Sequence, residues 1–328
     1  MSASHTRGVL VTGAASPLSQ ALVRALTACP EIHGVVTVYP PGEVCPTQER
    51  PGIVHVNADL TRHRDVQNLL QGVAMAARVD TIVHGCQHPF SREHGADSAR
   101  LHVESTRHLL SVAEEQPQIK RFVLRSFHDV YRLQRDSPIL IDESQPLELS
   151  PHAPEASREH AESDLIACAK MAVSRLQIVV LRCAELLAAG VAGQLYDYLS
   201  SRVCLRPLGY DPMINVLSLP DAARALHLAV MSDAIGIFNV PGKDSLPLSE
   251  LIDHAGRLGV ALPGLMLRPL YDLRTMVTKL QFDYQLDRLR FHRSCILEGS
   301  KAREQLHYSP QVSAFPFPQP QPSSTHDS

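Results

Sequence analysis

At 328 residues, 44% hydrophobic and 20% charged, the chain has an ordinary globular composition and enough length to bury a substantial core. A net charge of −3 excludes the basic field of a nucleic-acid or anionic-membrane binder, and no apolar run reaches the ~20 residues that span a bilayer. Seven cysteines without a C-x-x-C pair, and a start in which MSASHTR runs straight into GVLVTG, predict reduced thiols, no secretory leader and a cytoplasmic location.

In chain order, the apolar patterning predicts a strand at Gly8–Val11, a helix at Leu18–Ala28, and strands at Val35–Val38 and Val54–Asn57. A helix at Val66–Ala77, a strand at Thr81–His84, a helix at Ala99–Glu115 and a strand at Phe122–Leu124 follow. A helix at Ser157–Arg175 and a strand at Ile178–Leu181 complete the alternation. Short valine- and isoleucine-rich runs between helices are the pattern of a parallel sheet covered on both faces. After Arg182 the alternation loosens into a helix at Asp221–Met231, a strand at Gly236–Val240 and helices at Ser249–Leu258 and Leu270–Lys279. The expected organisation is α/β: a Rossmann-type doubly wound domain over residues 1–182, a smaller C-terminal α/β lobe interleaved with it over 183–308, and a Pro/Ser-rich tail over 309–328, disordered beyond about Phe315. The segment PFPQPQP within that tail is also the composition of a polyproline ligand.

His84, Cys86 and His88 form the densest run of metal-ligand types, but alternate strand-end positions do not converge as helical i, i+4 positions do, so no metal site is expected. No G-x-S-x-G, P-loop or H-E-x-x-H occurs. The first strand, turn and helix, VLVTGAASPLSQALVRAL, have the order of a dinucleotide-binding βα unit, in which glycine lets the backbone approach a pyrophosphate on the helix N-terminus. Ser16 followed by Pro17 also makes a good N-cap and N1 pair, so the helix can satisfy its own first donors.

This unit resembles the extended short-chain dehydrogenases/reductases, the family of NAD-dependent sugar epimerases and dehydratases. The resemblance continues through NADLTR, VDTIVHGCQ, HVESTRHLLSVAEEQPQIKRFVLRS, IVVLRCAELLAAG, MINVLSLPDAARAL and GIFNVPGKDSLPLSEL, covering roughly residues 8 to 310. It implies NAD or NADP held through Gly13, Ser16, Leu18, Asp59, Leu60 and His84. Several departures weaken that site. Only the first of the family's three loop glycines remains, Pro17 has no N–H, Tyr39 replaces the ribose-binding acid, and His102 stands where asparagine is usual.

The family's tyrosine and lysine exchange a proton with substrate, assisted by a serine or threonine. Matching SREHAESDL to the family motif puts Pro154 at the tyrosine and Arg158 at the lysine, and matching RSFHDVYR to the family's S-S-x-x-V-Y-G puts Phe127 at the assisting position, with Ser126 one place early. None of the eight tyrosines has a lysine four residues on, and neither residue type occurs between Arg132 and Ala169. The expected function is therefore binding, as a dinucleotide or metabolite sensor or a protein scaffold, with no catalytic residues. The alternative is an active NAD(P)-dependent enzyme with a non-standard proton carrier such as His128 or His152, near Asp129, Glu155 and Glu185. The resemblance also implies a homodimer or heteromer through helices 99–115 and 157–175; no nucleic-acid or membrane partner is expected, and a small molecule is expected in the cleft. In the second helix Ala161, Leu165, Ile166, Ala169 and Ala172 make an apolar stripe expected to pack within the chain.

Overall fold

The computed structural model describes residues 6–43, 51–85, 95–134, 136–191, 193–278, 282, 284 and 288–317. Cys86, His88 and the tail beyond Phe317 lie outside these residues. The first half reads β1 (Arg7–Thr12), α1 (Pro17–Thr27), β2 (Ile32–Tyr39), β3 (Ile53–Asn57), α2 (His63–Leu69), β4 (Thr81–His84), α3 (Gly95–Glu115), β5 (Arg121–Phe127), β6 (Leu140–Ile141), α4 (Glu155–Met171) and β7 (Gln177–Cys183). The second half reads β8 (Glu185–Leu186), α5 (Gln194–Leu199), β9 (Val203–Pro207), β10 (Met213–Leu217), α6 (Leu219–Met231), β11 (Gly236–Val240), β12 (Asp244–Pro247), α7 (Leu248–His254), β13 (Leu258–Leu262), α8 (Gly264–Thr278), β14 (Ile296–Leu297) and α9 (Ser300–Gln305).

Seven parallel strands form the central sheet in the order β3-β2-β1-β4-β5-β7-β11. Val9 and Val11 of β1, Val123 of β5 and Val179 and Leu181 of β7 enter the core beneath α1 and α6. Leu10, Phe122, Leu124, Ile178 and Val180 enter the opposite core beneath α2 and α3. Both parities of each strand are buried, which is why these runs are continuously apolar rather than alternating. Both α1 and α6 begin on a serine cap with proline in the first turn: Ser16 accepts from the Ser19 N–H and Ser218 from the Asp221 N–H.

The rest of the chain after β7 forms smaller sheets, β12-β10-β8, β13-β9 and β14-β6, around an aromatic core of Tyr198, Tyr271, Phe282, Tyr284 and Phe291. These short strands did not stand out in the sequence. The helix expected at Ser249–Leu258 stops at His254 because Gly256, at φ +67, closes a Schellman turn in which the Arg257 N–H donates to the Ile252 carbonyl; Leu258 then starts β13. The helix expected at Leu270–Lys279 begins at Gly264 and takes Pro269 inside it. The helix expected at Val66–Ala77 starts earlier, at His63, and widens into a π turn at Leu70–Ala74. The helix expected at Ser157–Arg175 ends at Met171. Arg175 instead donates to the carbonyls of Ala113, Glu114, Gln116 and Ile119, capping the end of α3.

Two expectations are corrected. The stripe on α4 packs within the chain only in part: Ala161 is buried and Ile166 packs against the core beneath α2 and α3, but Leu165 is 43% exposed and Ala169 and Ala172 are exposed, while Glu159, His160, Ser163 and Asp164 are buried. The tail does not leave the fold at residue 309. The Gln311 and Val312 N–H groups donate to Asp221, Ser313 and Ala314 donate to Asp244, and Phe317 stacks on Tyr196 at 5.3 Å. The buried Asp221 and the half-buried Asp244 thus hold an irregular segment that has no hydrophobic period of its own. No helix among the described residues is long and apolar enough to cross a membrane.

Buried Asn215 ties β10 to the turn after β11, accepting from the Gly242 N–H at 3.0 Å and donating to the Gly242 and Asp244 carbonyls at 3.1 Å each. A Cβ on Gly242 would overlap the Val216 carbonyl, a backbone group that cannot swing away. Gly242→Ala should therefore destabilise the protein by about 3 kcal/mol, a loss of roughly 4 °C in Tm for a chain of this size; a shift within about 1 °C of wild type, measured by calorimetry, would contradict this packing.

Candidate ligand cleft

The strands of the central sheet end in a crevice whose two ends differ in chemistry. At the β1–β2 end, a cavity of about 520 Å³ is lined by Gly13, Ala15, Ser16, Tyr39, Asp59 and Leu60, among others. Gly13 turns the chain at φ +63, a conformation glycine adopts without strain. Ser16 spends its hydroxyl on the α1 cap, accepting from the Ser19 N–H at 3.1 Å. The N–H groups of Ala15 and Leu18 have no acceptor among the described residues and point from a helix N-terminus. Leu18 itself is a core residue, so it offers only its backbone. The Asp59 carboxylate is engaged by Thr61, at 3.0 Å from the N–H and 2.6 Å from the hydroxyl, and by Arg62 at 3.0 Å.

His84 is wholly buried, and both ring nitrogens are used. The Gly85 N–H donates to Thr12 Oγ1, whose proton goes to His84 Nδ1 at 2.8 Å; Nε2–H then donates to Ser105 Oγ at 3.1 Å, and Ser105 donates to the Leu101 carbonyl. This directional chain assigns the neutral Nε2–H tautomer. Burial, which penalises the charged ring, pushes His84 down to about 3, so the imidazole is neutral. His84 thus bridges β1, β4 and α3.

At the β5–β7 end the floor is a buried ion pair. Arg182 on β7 donates to both oxygens of Asp164 on α4, at 2.6 and 2.9 Å, and the Ser126 hydroxyl on β5 donates to the same carboxylate at 2.6 Å. The Arg182 guanidinium also lies 4.8 Å over the Tyr131 ring, whose hydroxyl donates to Asn239 at 2.6 Å. Burial raises the Tyr131 phenol well above its ordinary pKa, so it is neutral and tied down.

Above this floor, a second cavity of about 520 Å³ is lined by Arg125, Phe127, His128, Asp129, His160 and Arg290, among others. A smaller space of about 230 Å³ adjoins it, lined by His84, His102 and Ser126, and Arg125, Phe127 and His160 line both. His160 Nδ1 lies 2.9 Å from each oxygen of Asp129, and its ring stacks on Phe127 at 3.9 Å and 15°. Arg290 Nη1 meets Glu185 at 3.2 Å, Nη2 reaches Asp129 at 3.8 Å, and His128 Nε2 stands 3.4 Å from Glu185. Burial works to raise Asp129, but His160 and Arg290 hold its carboxyl well below the usual carboxylate range. Burial first, then Arg290, pushes His128 well below the ordinary histidine value, so it is neutral.

The expected positions are distributed unevenly. Phe127 and His128 line the cleft, as do Asp129 and Glu185. Pro154 is the N-cap residue of α4 and contributes only a carbonyl, which accepts from the Arg158 N–H; the Arg158 Nε is buried without a partner and Arg158 lines neither cavity. His152 and Glu155 are exposed, and His152 lines no part of the cleft. Arg125, His160 and Arg290 went unrecognised in the sequence. The signal for His160 was its spacing, since it lies four residues before Asp164 on one helix face. For Arg125 it was a charge inside an otherwise apolar strand.

Among the described residues, no group of three histidine, cysteine, aspartate or glutamate side chains is placed to hold a metal.

Two measurements check this site. Because His84 is neutral when folded but titrates near 6.5 when unfolded, the unfolded chain binds an extra proton as pH falls below 6.5, and stability is lost down to about 3. Between pH 7 and 5 wild type should lose about 2 kcal/mol more than His84→Asn in denaturant unfolding; equal losses would contradict the neutral tautomer. Asp164→Asn strands Arg182 without its counter-ion and should cost about 3–5 kcal/mol, whereas Asp164→Leu with Arg182→Met should recover most of it. An additive double variant would show that the two residues do not act as a pair.

Residues 9–205 match the sequence profile of the NAD dependent epimerase/dehydratase family. An uncharacterized protein of Mycobacterium tuberculosis is 28% identical over 329 aligned positions, covering 95% of this chain and 83% of that protein. Among solved structures, a Bacillus anthracis dTDP-glucose 4,6-dehydratase in complex with NAD superposes with a TM-score of 0.70 at 17% identity, covering 94% of this chain and 93% of that one. A Thermotoga maritima UDP-glucose 4-epimerase with UDP-glucose gives 0.69 at 15% identity, covering 93% and 94%. These structural likenesses establish the shared fold, a parallel sheet with the same flanking layers and lobe. With the profile spanning more than half of its length, the chain belongs to the NAD-dependent epimerase/dehydratase family.

Proposed function

We propose that this protein binds a dinucleotide or a related metabolite in its cleft without running the tyrosine–lysine oxidoreductase reaction associated with its family. One observation carries the reading: neither a tyrosine nor a lysine lines either cavity at the β5–β7 end. A proline backbone and an arginine occupy the matched positions, and the nearby Tyr131 phenol is committed to Asn239. Arginine holds its proton too firmly to stand in for lysine, and proline has none to exchange.

The residues present fit the adenosine and pyrophosphate part of a dinucleotide such as the NAD bound by the Bacillus anthracis relative. Tyr39, Asp59 and Leu60 wall the cavity for the adenosine, and the Ala15 and Leu18 N–H groups at the α1 N-terminus suit the phosphates. At the far end, the Phe127–His160 stack stands where the reactive half would need a proton donor. A second reading has support from the same place. His160 is oriented by Asp129 through Nδ1 at 2.9 Å, the arrangement by which a carboxylate steers a histidine base.

Thermal unfolding with NAD, NADH, NADP and NADPH, followed by turnover assays with nucleotide sugars, separates the readings. Binding without catalysis predicts a saturable rise in Tm with at least one dinucleotide, about 2.7 kcal/mol at 100 times its Kd, and no change in nicotinamide absorbance on adding sugar. Turnover abolished by His160→Ala would establish the second reading instead. The absence of a shift with all four would exclude a dinucleotide as the ligand.

A further inference from the structure

Three arginines are buried among the described residues, and two of them are fully accounted for. Arg182 is paired with Asp164, and Arg121 donates to the Ala229 and Ala234 carbonyls, Gln177 and Ser232. Arg125 is different. It is 5% exposed, its guanidinium lies 4.6 Å over the Phe127 ring and against the Cys183 thiol, and its Nε has no hydrogen-bond partner. No carboxylate among the described residues is in ion-pairing contact with it. Cys183 supplies no charge, since burial pushes its thiol up to about 11.

The two carboxylates of the cleft are already engaged, Asp129 by His160 and Arg290, and Glu185 by Arg290 and His128. Burial lowers the proton affinity of Arg125, and the more distant charges of Glu185 and Asp129 only partly offset that, yet a guanidinium stays charged in proteins. A buried cation without a counter-ion is costly, so a fold that keeps one needs a compensating group. Here the charge faces open volume: Arg125 lines both the 520 Å³ cleft and the 230 Å³ space beside it.

We propose that Arg125 is the receptor for an oxyanion, the carboxylate or phosphoryl group of a small molecule seated in the cleft against Phe127 and His160. A guanidinium fork matches either group in bidentate geometry, and the closed apolar wall behind it strengthens the contact. Ser157 and Gln194 also line this cleft, and the Ser157 hydroxyl is already donated to Asp129 at 3.3 Å, so the charge that would meet the ligand is that of Arg125. The site deepens the binding reading above and rests on the cleft holding a ligand, but it requires no dinucleotide.

The test is thermal unfolding of wild type, Arg125→Met and Arg125→Lys in malonate and in inorganic phosphate, without nucleotide and at ionic strength matched with sodium chloride. Wild type should show a saturable rise in Tm with at least one anion; Arg125→Met should lose it and Arg125→Lys should weaken it at least tenfold. Without anion, Arg125→Met should be no less stable than wild type, because an apolar stem replaces an uncompensated charge. If the methionine variant fails to fold, the lysine variant carries the affinity comparison. A response to malonate alone assigns a carboxylate, to phosphate alone a phosphoryl group, and to both the shared oxyanion chemistry. Absence of any rise, or a linear rise equal in all three proteins as solute exclusion produces, overturns the proposal. So does an Arg125→Met protein that is destabilised yet keeps the anion response. A dinucleotide shift that survives in Arg125→Met would leave the proposed function standing while this site fell.

Discussion

The Asp164–Arg182 ion pair is the constraint on which the cleft depends. Both groups are inaccessible to solvent, and the pair joins α4 to β7 while the Ser126 hydroxyl adds β5 to the same carboxylate. An ion pair at this depth must be geometrically complete, because each charge left alone would cost more than the pair returns. Its geometry therefore fixes the rotation of α4 about its own axis. With Asp164 turned inward, His160 one turn earlier must also face the sheet, at the height of the cleft, where Asp129 meets it. The same rotation turns Leu165, Ala169 and Ala172 outward, leaving an apolar stripe on the surface.

The polar chemistry of the cleft follows as an accounting of charge. Arg182 takes Asp164; Arg290 bridges Asp129 and Glu185; His128, made neutral by burial and by Arg290, adds no cation. Both cleft carboxylates are satisfied from within the protein, Arg121 is held by carbonyls, and Arg125 is the buried arginine left without a counter-ion among the described residues. At the opposite end of the crevice the phosphate loop is quieter. Ser16 and Pro17 settle the α1 N-terminus internally, and the anion-binding capacity that remains is backbone alone. Among the described residues, the strongest unmet electrostatic demand therefore lies at Arg125 on the β5–β7 end of the crevice and not at the helix N-terminus.

The smaller lobe is organised by buried polar side chains as much as by its aromatic core. Asn215 binds the Gly242 turn, and Asp221 and Asp244 hold successive N–H groups of the strand leading to Phe317. The contacts of Asp221 and Asp244 with that segment join residues 69 to 91 positions apart, so no local period announces them. A segment of SPQVSAFPF composition reads as a disordered tail for that reason, and it is ordered because carboxylates elsewhere supply its hydrogen bonds.

The sequence by itself determined the sheet and its covering helices. Valine- and isoleucine-rich strands buried on both faces, and helices opened by Ser-Pro caps, are local patterns in which each residue's neighbours along the chain carry the information. It also determined that no tyrosine and lysine stand four apart, which is a statement about identity and not position. The tertiary structure decided everything that depends on which distant groups share a solvent-free space. It made His84 a structural bridge, put His152 outside the cleft and His160 inside it, and left Arg125 without a counter-ion. Burial converts a polar side chain from a solvated ornament into a group that must be paired, and only the packed fold says which partners are within reach.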